Sequence, residues 1–187
     1  MSVRPQFRQA LNLIATAIQR IEARGLTGTV LVGGAAVEFF TGGAITSGDF
    51  DLVSPWKEEL FAELRKLGFI QPNEPGWLLN SLYHPTLGLS VQVVSGQLMD
   101  GHADKSRIRD ISLGEFGNAR FLPVEDLIAD RMSQALAAKP AREDMRNQAV
   151  RLYQLVEGLD EAYLDRRIRE ETGNDATLAT LREWAGK

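Results

Sequence analysis

The sequence predicts an α/β (α+β) protein in which a small mixed sheet is flanked by helices and followed by a helical C-terminal extension. Apolar residues near the N-terminus recur with the helical period, and short apolar runs rich in β-branched residues come next. Helical periodicity then returns from Pro123 onwards. We therefore expect an α/β core over residues 1–122 and a helical region over residues 123–187 packed on that core.

Composition and charge exclude several classes of protein. Of the 187 residues, 44% are hydrophobic and 25% are charged, which is typical of a folded globular chain. The formal net charge of −4 gives no sign of a basic surface for nucleic acid or an anionic membrane, and the absence of cysteine excludes disulfides and thiolate metal sites. Neither a signal-peptide core nor an apolar run of membrane-spanning length is present, so we expect a cytoplasmic protein without a membrane partner.

The first half of the chain alternates between the two kinds of element. Large apolar residues from Phe7 to Ile21 follow steps of three and four, which predicts an amphipathic helix that ends at Gly25. The following apolar stretches are short and punctuated by glycine. They are predicted as strand, helix, strand and helix over residues 29–32, 34–40, 50–53 and 58–67.

The middle of the chain is β-like, and the last part is helical. Strands are predicted at residues 77–83 and 89–94, with edge strands at 107–112 and 119–122. Within the second of these, Leu89, Val91 and Val93 occupy one face, while Gln92 lies on the other. Helices are predicted over residues 124–136, 142–155, 160–171 and 176–184.

Two carboxylates occur where a buried strand should begin. Asp49 and Asp51 are two positions apart, so they share one face of the strand with roughly 6.5 Å between their Cα atoms, while Phe50 turns towards the core. Carboxylates so close repel each other unless a cation compensates. Mg²⁺ prefers such oxygen ligands and also takes substrate phosphates.

A glycine pair precedes these acids, at a predicted strand-to-helix turn. Gly33 and Gly34 would let a phosphate approach the backbone, and the amides at the start of a helix attract anions. A phosphate cradle combined with metal-binding carboxylates favours phosphoryl or nucleotidyl transfer. Taken singly, each motif has a simpler interpretation, because glycine pairs are common in tight turns and paired aspartates are common in exposed loops.

A dinucleotide-binding turn is the main competing interpretation, since it also places an acid about twenty residues after its glycines. That fingerprint requires further glycines. The sequence has Ala35 and Glu38 at those positions when counting from Gly33, and Ala36 and Phe39 when counting from Gly34. The pattern therefore disfavours this interpretation.

Gly33-Gly34 followed by Ser47-Gly48-Asp49-Phe50-Asp51-Leu52-Val53 resembles the signature of the DNA polymerase β-like nucleotidyltransferase superfamily. The likeness is greatest to its small bacterial members, several of which belong to toxin–antitoxin or abortive-infection systems. The segments LPVEDLIADRM (Leu122–Met132) and REDMRNQAVRLYQL (Arg142–Leu155) resemble the helical pair that follows the catalytic sheet there. The resemblance covers about Val30–Leu155. It implies the nucleotidyltransferase fold, a glycine turn that contacts triphosphate, and an aspartate pair that binds magnesium.

The resemblance also implies a third acid on a neighbouring strand, and here the sequence departs from the pattern. The matching position is Gln92, whose neutral amide can coordinate a metal but cannot act as a general base. Asp100 and Asp110 are alternative sources of the missing carboxylate. Gln92 also has the ordinary interpretation of a polar residue on a half-exposed strand.

Further residues are candidates for nucleotide binding. The resemblance implies a basic residue near the nucleotide at Arg131, and Arg142 could gather a triphosphate together with Arg146, which lies on the same helix face. Each arginine could instead pair with neighbouring acids at the surface. Ser47 could bind a phosphate or cap its own loop, and Trp77 could stack on a base or belong to the core.

The predicted function is magnesium-dependent transfer of a nucleotidyl group from a nucleoside triphosphate to an unidentified acceptor hydroxyl on a small molecule, a protein or an RNA. In this hypothesis Asp49 and Asp51 hold the metal, and Gly33, Gly34 and Ser47 cradle phosphates. Gln92 then occupies a weakened third position. The alternative is a catalytically weak nucleotide-binding module, or one half of a toxin–antitoxin pair with a cognate partner protein.

Overall fold

The computed structural model of the protein describes residues 3–71, 80–137 and 142–186, apart from the side chains at positions 100 and 101. Trp77 and the next two residues of the strand predicted at residues 77–83 lie outside the described residues. The chain divides into two compact units. The sheet unit contains Ser2–Ala36 and Thr46–Leu122, and the helical unit contains Val37–Ile45 and Pro123–Lys187. The predicted domain limits stay a prediction.

The sheet unit is built on six strands, and α1 and α3 belong to it as well. Its elements in chain order are α1 (Pro5–Glu22), β1 (Val30–Val32), the first turn of α2 (Gly33–Phe40), β2 (Asp49–Val53), α3 (Lys57–Lys66), β3 (Ser81–His84), β4 (Leu89–Ser95), β5 (Arg109–Ser112) and β6 (Asn118–Phe121). The strands lie in the order β3-β4-β2-β1-β6-β5. Since β1 pairs with β6 and β2 with β4 in parallel, while the other pairs are antiparallel, the predicted mixed sheet is confirmed.

The two faces of this sheet differ in polarity because β2 alternates. Phe50 and Leu52 are buried, and the ring of Phe50 stacks on Phe7 of α1 with the centroids 4.7 Å apart. Asp49 is exposed and Asp51 half-buried on the other face. The apolar stripe of α1 thus covers one face of the sheet, and both carboxylates belong to the opposite face.

One strand prediction was wrong in its position. The segment at residues 119–122 was expected at an edge, but β6 lies between β1 and β5. Ala119 and Phe121 are buried, and the amide of Leu122 donates to the carbonyl of Leu31 at 2.9 Å. A four-residue run cannot reveal its place in the sheet, because that place depends on pairing with a strand far away in the sequence.

The helical unit contains α4 (Val124–Ala137), α5 (Arg142–Leu155), α6 (Glu161–Glu171) and α7 (Leu178–Trp184). A buried ion pair joins α4 to α6, since Nε of Arg167 lies 2.6 Å from Oδ1 of Asp126 and both side chains are almost fully buried. Tyr163 donates its hydroxyl to the same carboxylate at 2.8 Å. Burial opposes the charge of Arg167, but its hydrogen bonds to Asp126 and Glu170 raise the pKa of its guanidinium above the ordinary value.

No helix within the described ranges is both long enough and apolar enough to cross a membrane.

Candidate active site

The register of the sheet places the two aspartates beside two neutral polar residues. Asp49 pairs with Ser90 and Asp51 with Gln92 along the parallel β2–β4 ladder. Partners in register point to the same face of a sheet, so Gln92 lies directly beside Asp51. Val32, at the end of β1, pairs with Asp51 from the other side. The aspartates therefore lie where β1 ends, next to the glycine turn.

The glycine turn contacts the second aspartate. Gly33 has φ +63°, in the left-handed region, and a Cβ built on it would lie 2.1 Å from Oδ2 of Asp51. A Cβ on Gly34 would lie 2.7 Å from Oγ of Ser47. Both positions thus require glycine for steric reasons, because any side chain would displace a residue of the site. The predicted glycine turn is therefore in contact with the second of the two predicted carboxylates.

Ser47 shapes the loop that leads into β2. Its Oγ accepts a hydrogen bond from the amide of Asp49 at 3.3 Å and donates to the carbonyl of Asp49 at 3.0 Å. Arg4, just before α1, donates from Nη2 to the carbonyl of Ser47 at 2.5 Å. Ser47 therefore caps its loop, as one of its two interpretations expected, while lying against the glycine turn. Arg4 brings a cation to the same loop.

Ser90 is a residue of the site that the sequence interpretation missed. It is buried, and its hydroxyl donates to Oδ1 of Asp49. The hydrogen bond restrains the rotamer of an otherwise exposed carboxylate. A signal was available, because two strands that place Gln92 beside Asp51 must place Ser90 beside Asp49 by the same two-residue period. No comparable local pattern marks Arg4.

The third carboxylate is not supplied by Asp110. That residue lies on β5, three strands from β2, or about 14 Å at the usual strand spacing. Its Oδ2 instead lies 3.6 Å from Nε of Arg120. The side chain of Asp100 lies outside the described part of the chain. Among the described residues, no group of three or more histidine, cysteine, aspartate or glutamate side chains could hold a metal ion.

No family model matches this sequence, and no curated protein matches it either. Solved structures do match. An antigenic nucleotidyltransferase-like protein from Paracoccidioides brasiliensis superimposes with a TM-score of 0.63 at 12% identity, over 97% of this chain and 94% of that one. The chain has a nucleotidyltransferase-like fold. This chain is also similar to the antibiotic-resistance factor ANT(2'')-Ia, with a TM-score of 0.55 at 16% identity, over 94% of this chain and 96% of that chain.

On this nucleotidyltransferase-like fold, the donor set of the site fits Mg²⁺. Asp49 and Asp51 supply two carboxylates from one face of β2, and the amide oxygen of Gln92 is a neutral donor beside them. The absence of a Cβ at Gly33 lets the start of α2 approach the carboxylate of Asp51 closely. Mg²⁺ bound by one or two carboxylates completes its shell with water and substrate phosphates, so three protein carboxylates are not required.

The two predicted arginines belong to the helical unit. Arg131 is buried in α4, where Nε donates to Asp130 at 3.0 Å and Nη1 donates to Sδ of Met145 at 3.2 Å. It therefore holds α4 against α5. Arg142 is exposed at the first residue of α5, and the guanidinium of Arg146 lies 5.1 Å from the ring centre of Trp184. Nucleotide binding by Arg131 and Arg142 stays a prediction, whereas the other predicted residues lie together in the sheet unit.

Proposed function

We propose that the protein transfers a nucleotidyl group from a nucleoside triphosphate to an acceptor hydroxyl. The observation that supports this most is the close approach of Gly33 to Asp51, because it places the amides that open α2 beside a carboxylate able to bind a metal. The nucleotidyltransferase-like fold of the chain is consistent with this chemistry, and the site lies in the sheet unit.

Asp49 and Asp51 would hold Mg²⁺, which neutralises phosphate charge and polarises oxygen when bound. Gly33 and Gly34 open α2, so their amides and the positive end of the helix attract a phosphate. Ser90 orients Asp49 by its hydrogen bond, and Arg4 holds the carbonyl of Ser47. These residues position the triphosphate rather than react with it.

The transfer itself balances without a further co-reactant. The acceptor oxygen forms a bond to the α-phosphorus, the bond from that phosphorus to the β-bridging oxygen breaks, and pyrophosphate leaves. The hydroxyl proton passes to water, and the amide of Gln92 takes no part in this step since it is not a base. A carboxylate at this position would have offered a proton acceptor next to Asp51.

Calorimetric titration with Mg·ATP and the other magnesium nucleoside triphosphates tests the binding half of this proposal. We expect the wild type to bind in the presence of Mg²⁺ and to bind at least tenfold more weakly without it. Asp49→Asn and Asp51→Asn should lose the magnesium-dependent part, while Asp110→Asn, a carboxylate three strands away, should not. Equal binding by all four proteins would exclude a metal site at the aspartate pair.

A second function, nucleotide binding without efficient turnover, is favoured by the register between Gln92 and Asp51. Gln92→Glu would restore a carboxylate beside Asp51. Val94→Glu adds the same charge to an exposed position of the same strand and serves as the control. If nucleotidyl transfer rises at least tenfold in Gln92→Glu but not in Val94→Glu, the second function is favoured. Robust transfer by the wild type excludes it.

A further inference from the structure

A cleft of about 640 Å³ lies in the sheet unit, outside the residues assigned above. Its walls come from the loop before β1, the first residue of β1, the last residue of β2 and the segment after it, the segments that follow β4 and precede β5, and β6. The lining residues are Thr27, Gly28, Val30, Val53, Pro55, Gly96, Gln97, Leu98, Lys105, Ile108 and Arg120. Its size is that of a site for a small molecule.

The cleft and the aspartate pair share one face of the sheet. Val53 follows Asp51 by two residues in β2, so their side chains point the same way with about 6.5 Å between the Cα atoms. On β1, Val30 pairs with Val53 just as Val32 pairs with Asp51. The floor of the cleft is therefore continuous with the carboxylates, and a molecule lying in it could extend to a group held at Asp51.

Lys105 gives the cleft an unbalanced positive charge, although the whole chain carries a net charge of −4. Two cations line it, Lys105 and Arg120, and no carboxylate is found among the described residues of its walls. Arg120 is ion-paired with Glu22 and Asp110, which raise the pKa of its guanidinium and balance its charge. Lys105 is exposed and has no ion-pair partner among the described residues.

The remaining wall is largely apolar. Val30, Val53 and Leu98 are buried against the sheet, and Pro55 and Ile108 complete the apolar surface. A ligand that fits must combine an apolar body with an anionic group that reaches Lys105. A nucleobase would use the apolar wall and leave the positive charge without a partner.

We propose that this cleft binds the acceptor of the transfer, and that the acceptor is a small hydroxyl-bearing molecule with an apolar ring and a carboxylate or phosphate group. The proposal rests on the proposed function, because a neighbouring cleft is an acceptor site only if a nucleotide binds at Asp49 and Asp51.

Simple ring compounds test the recognition directly by two-dimensional NMR. Benzoate and phenyl phosphate carry the two anionic groups, benzyl alcohol is the neutral control and benzylamine is the cationic control. We expect both anions to shift the amides of Gly96, Gln97 and Ile108, and to bind more tightly than the alcohol or the amine. Whichever anion binds more tightly identifies the anionic group. No shift at these amides, or tightest binding by benzylamine, would overturn the proposal.

Two variants connect binding to the cleft. Lys105→Gln should weaken both anions about three- to fivefold, as expected for an exposed ion pair. Arg151→Gln removes an exposed charge in the helical unit and should change nothing. Gly96→Trp should abolish binding, because a Cβ there meets nothing within 4 Å and the larger ring can enter the cleft. Unchanged affinity in Lys105→Gln or Gly96→Trp would contradict the assignment.

The last measurement separates this proposal from the proposed function. Saturating Mg·ATP should leave the benzoate and phenyl phosphate shifts in place, because the nucleotide and the acceptor occupy adjoining sites. Displacement of the anions by Mg·ATP would assign the cleft to the nucleotide and overturn the acceptor assignment. Failure of the proposed function would show instead as unchanged Mg·ATP binding in Asp49→Asn and Asp51→Asn, which do not line the cleft.

Discussion

Replacing Gly33 by alanine tests the contact on which the candidate site depends. The added Cβ would lie 2.1 Å from Oδ2, 2.8 Å from Cγ and 2.9 Å from Cβ of Asp51. Rotation about the side-chain bonds of Asp51 removes the first two overlaps. It cannot remove the third, because Cβ moves only with the backbone. Either the start of α2 or strand β2 must therefore shift in this variant.

Two contributions determine how much stability Gly33→Ala should lose. A residue other than glycine in the left-handed region costs about 1–2 kcal/mol, and overpacking adds about 1–3 kcal/mol. We therefore expect Gly33→Ala to lower the free energy of unfolding by about 2–5 kcal/mol. Gly88→Ala is the matched control in the same unit, since Gly88 has φ +67° and an added Cβ there meets nothing within 4 Å. It should show the backbone cost alone.

Urea unfolding followed by circular dichroism measures these differences, and a double-mutant cycle isolates the contact. Asp51→Gly removes all three overlapping atoms, so Gly33→Ala should cost about 1–3 kcal/mol less in that background than in the wild type. If Gly33→Ala and Gly88→Ala agree within about 0.5 kcal/mol and the cycle shows no coupling, the proposed packing of the glycine turn on Asp51 is wrong.

Three further perturbations test other parts of the structure. Arg167→Met leaves the buried carboxylate of Asp126 without its cation, so urea unfolding should show a loss of about 3–5 kcal/mol, and a loss under 1 kcal/mol would contradict the buried pair. Arg4→Gln removes the hydrogen bond to the carbonyl of Ser47 in the loop before the aspartates. It should weaken Mg·ATP binding in calorimetry at least threefold with little change in stability. Unchanged affinity would contradict a role of Arg4 in the site. The hydrogen bond from Lys66 lowers the pKa of Glu63 below 4.5, so this carboxylate stabilises the fold at neutral pH and the effect is lost as the pH falls through the lowered pKa. Urea titrations from about pH 7 to about pH 3 should therefore show Glu63→Gln converging on the wild type in acid, whereas a constant difference would contradict this linkage.

Much of the fold could be predicted from local pattern. Steps of three and four gave the helix that covers one sheet face, and the structure places α1 at Pro5–Glu22. Glycine and proline marked the ends of most elements. The position of β6 inside the sheet could not be predicted, because parallel pairing with β1 joins segments that are distant in the sequence.

Part of the candidate site could also be predicted from the sequence. The two-residue period of a strand placed Asp49 and Asp51 on one face, and the comparison with a known pattern selected Gln92, which the register then places beside Asp51. Arg4 could not be found, since it reaches the loop before β2 from outside α1 and has no local motif. The alternation of residues in a strand shows which side chains share a face. It does not show which side chains from distant parts of the sequence contact that strand or its loops.

The alternation of β2 explains why one short strand supports both stability and the proposed chemistry. Phe50 and Leu52 anchor it in the core, so the opposite face can carry two carboxylates without loss of the strand. β4 shares this alternation, with Val91 and Val93 buried and Gln92 facing the site. A single change at Gln92 can therefore alter the charge of the site while leaving the core intact. This separation makes Gln92→Glu an informative variant, because a change in nucleotidyl transfer there would report on chemistry rather than on folding.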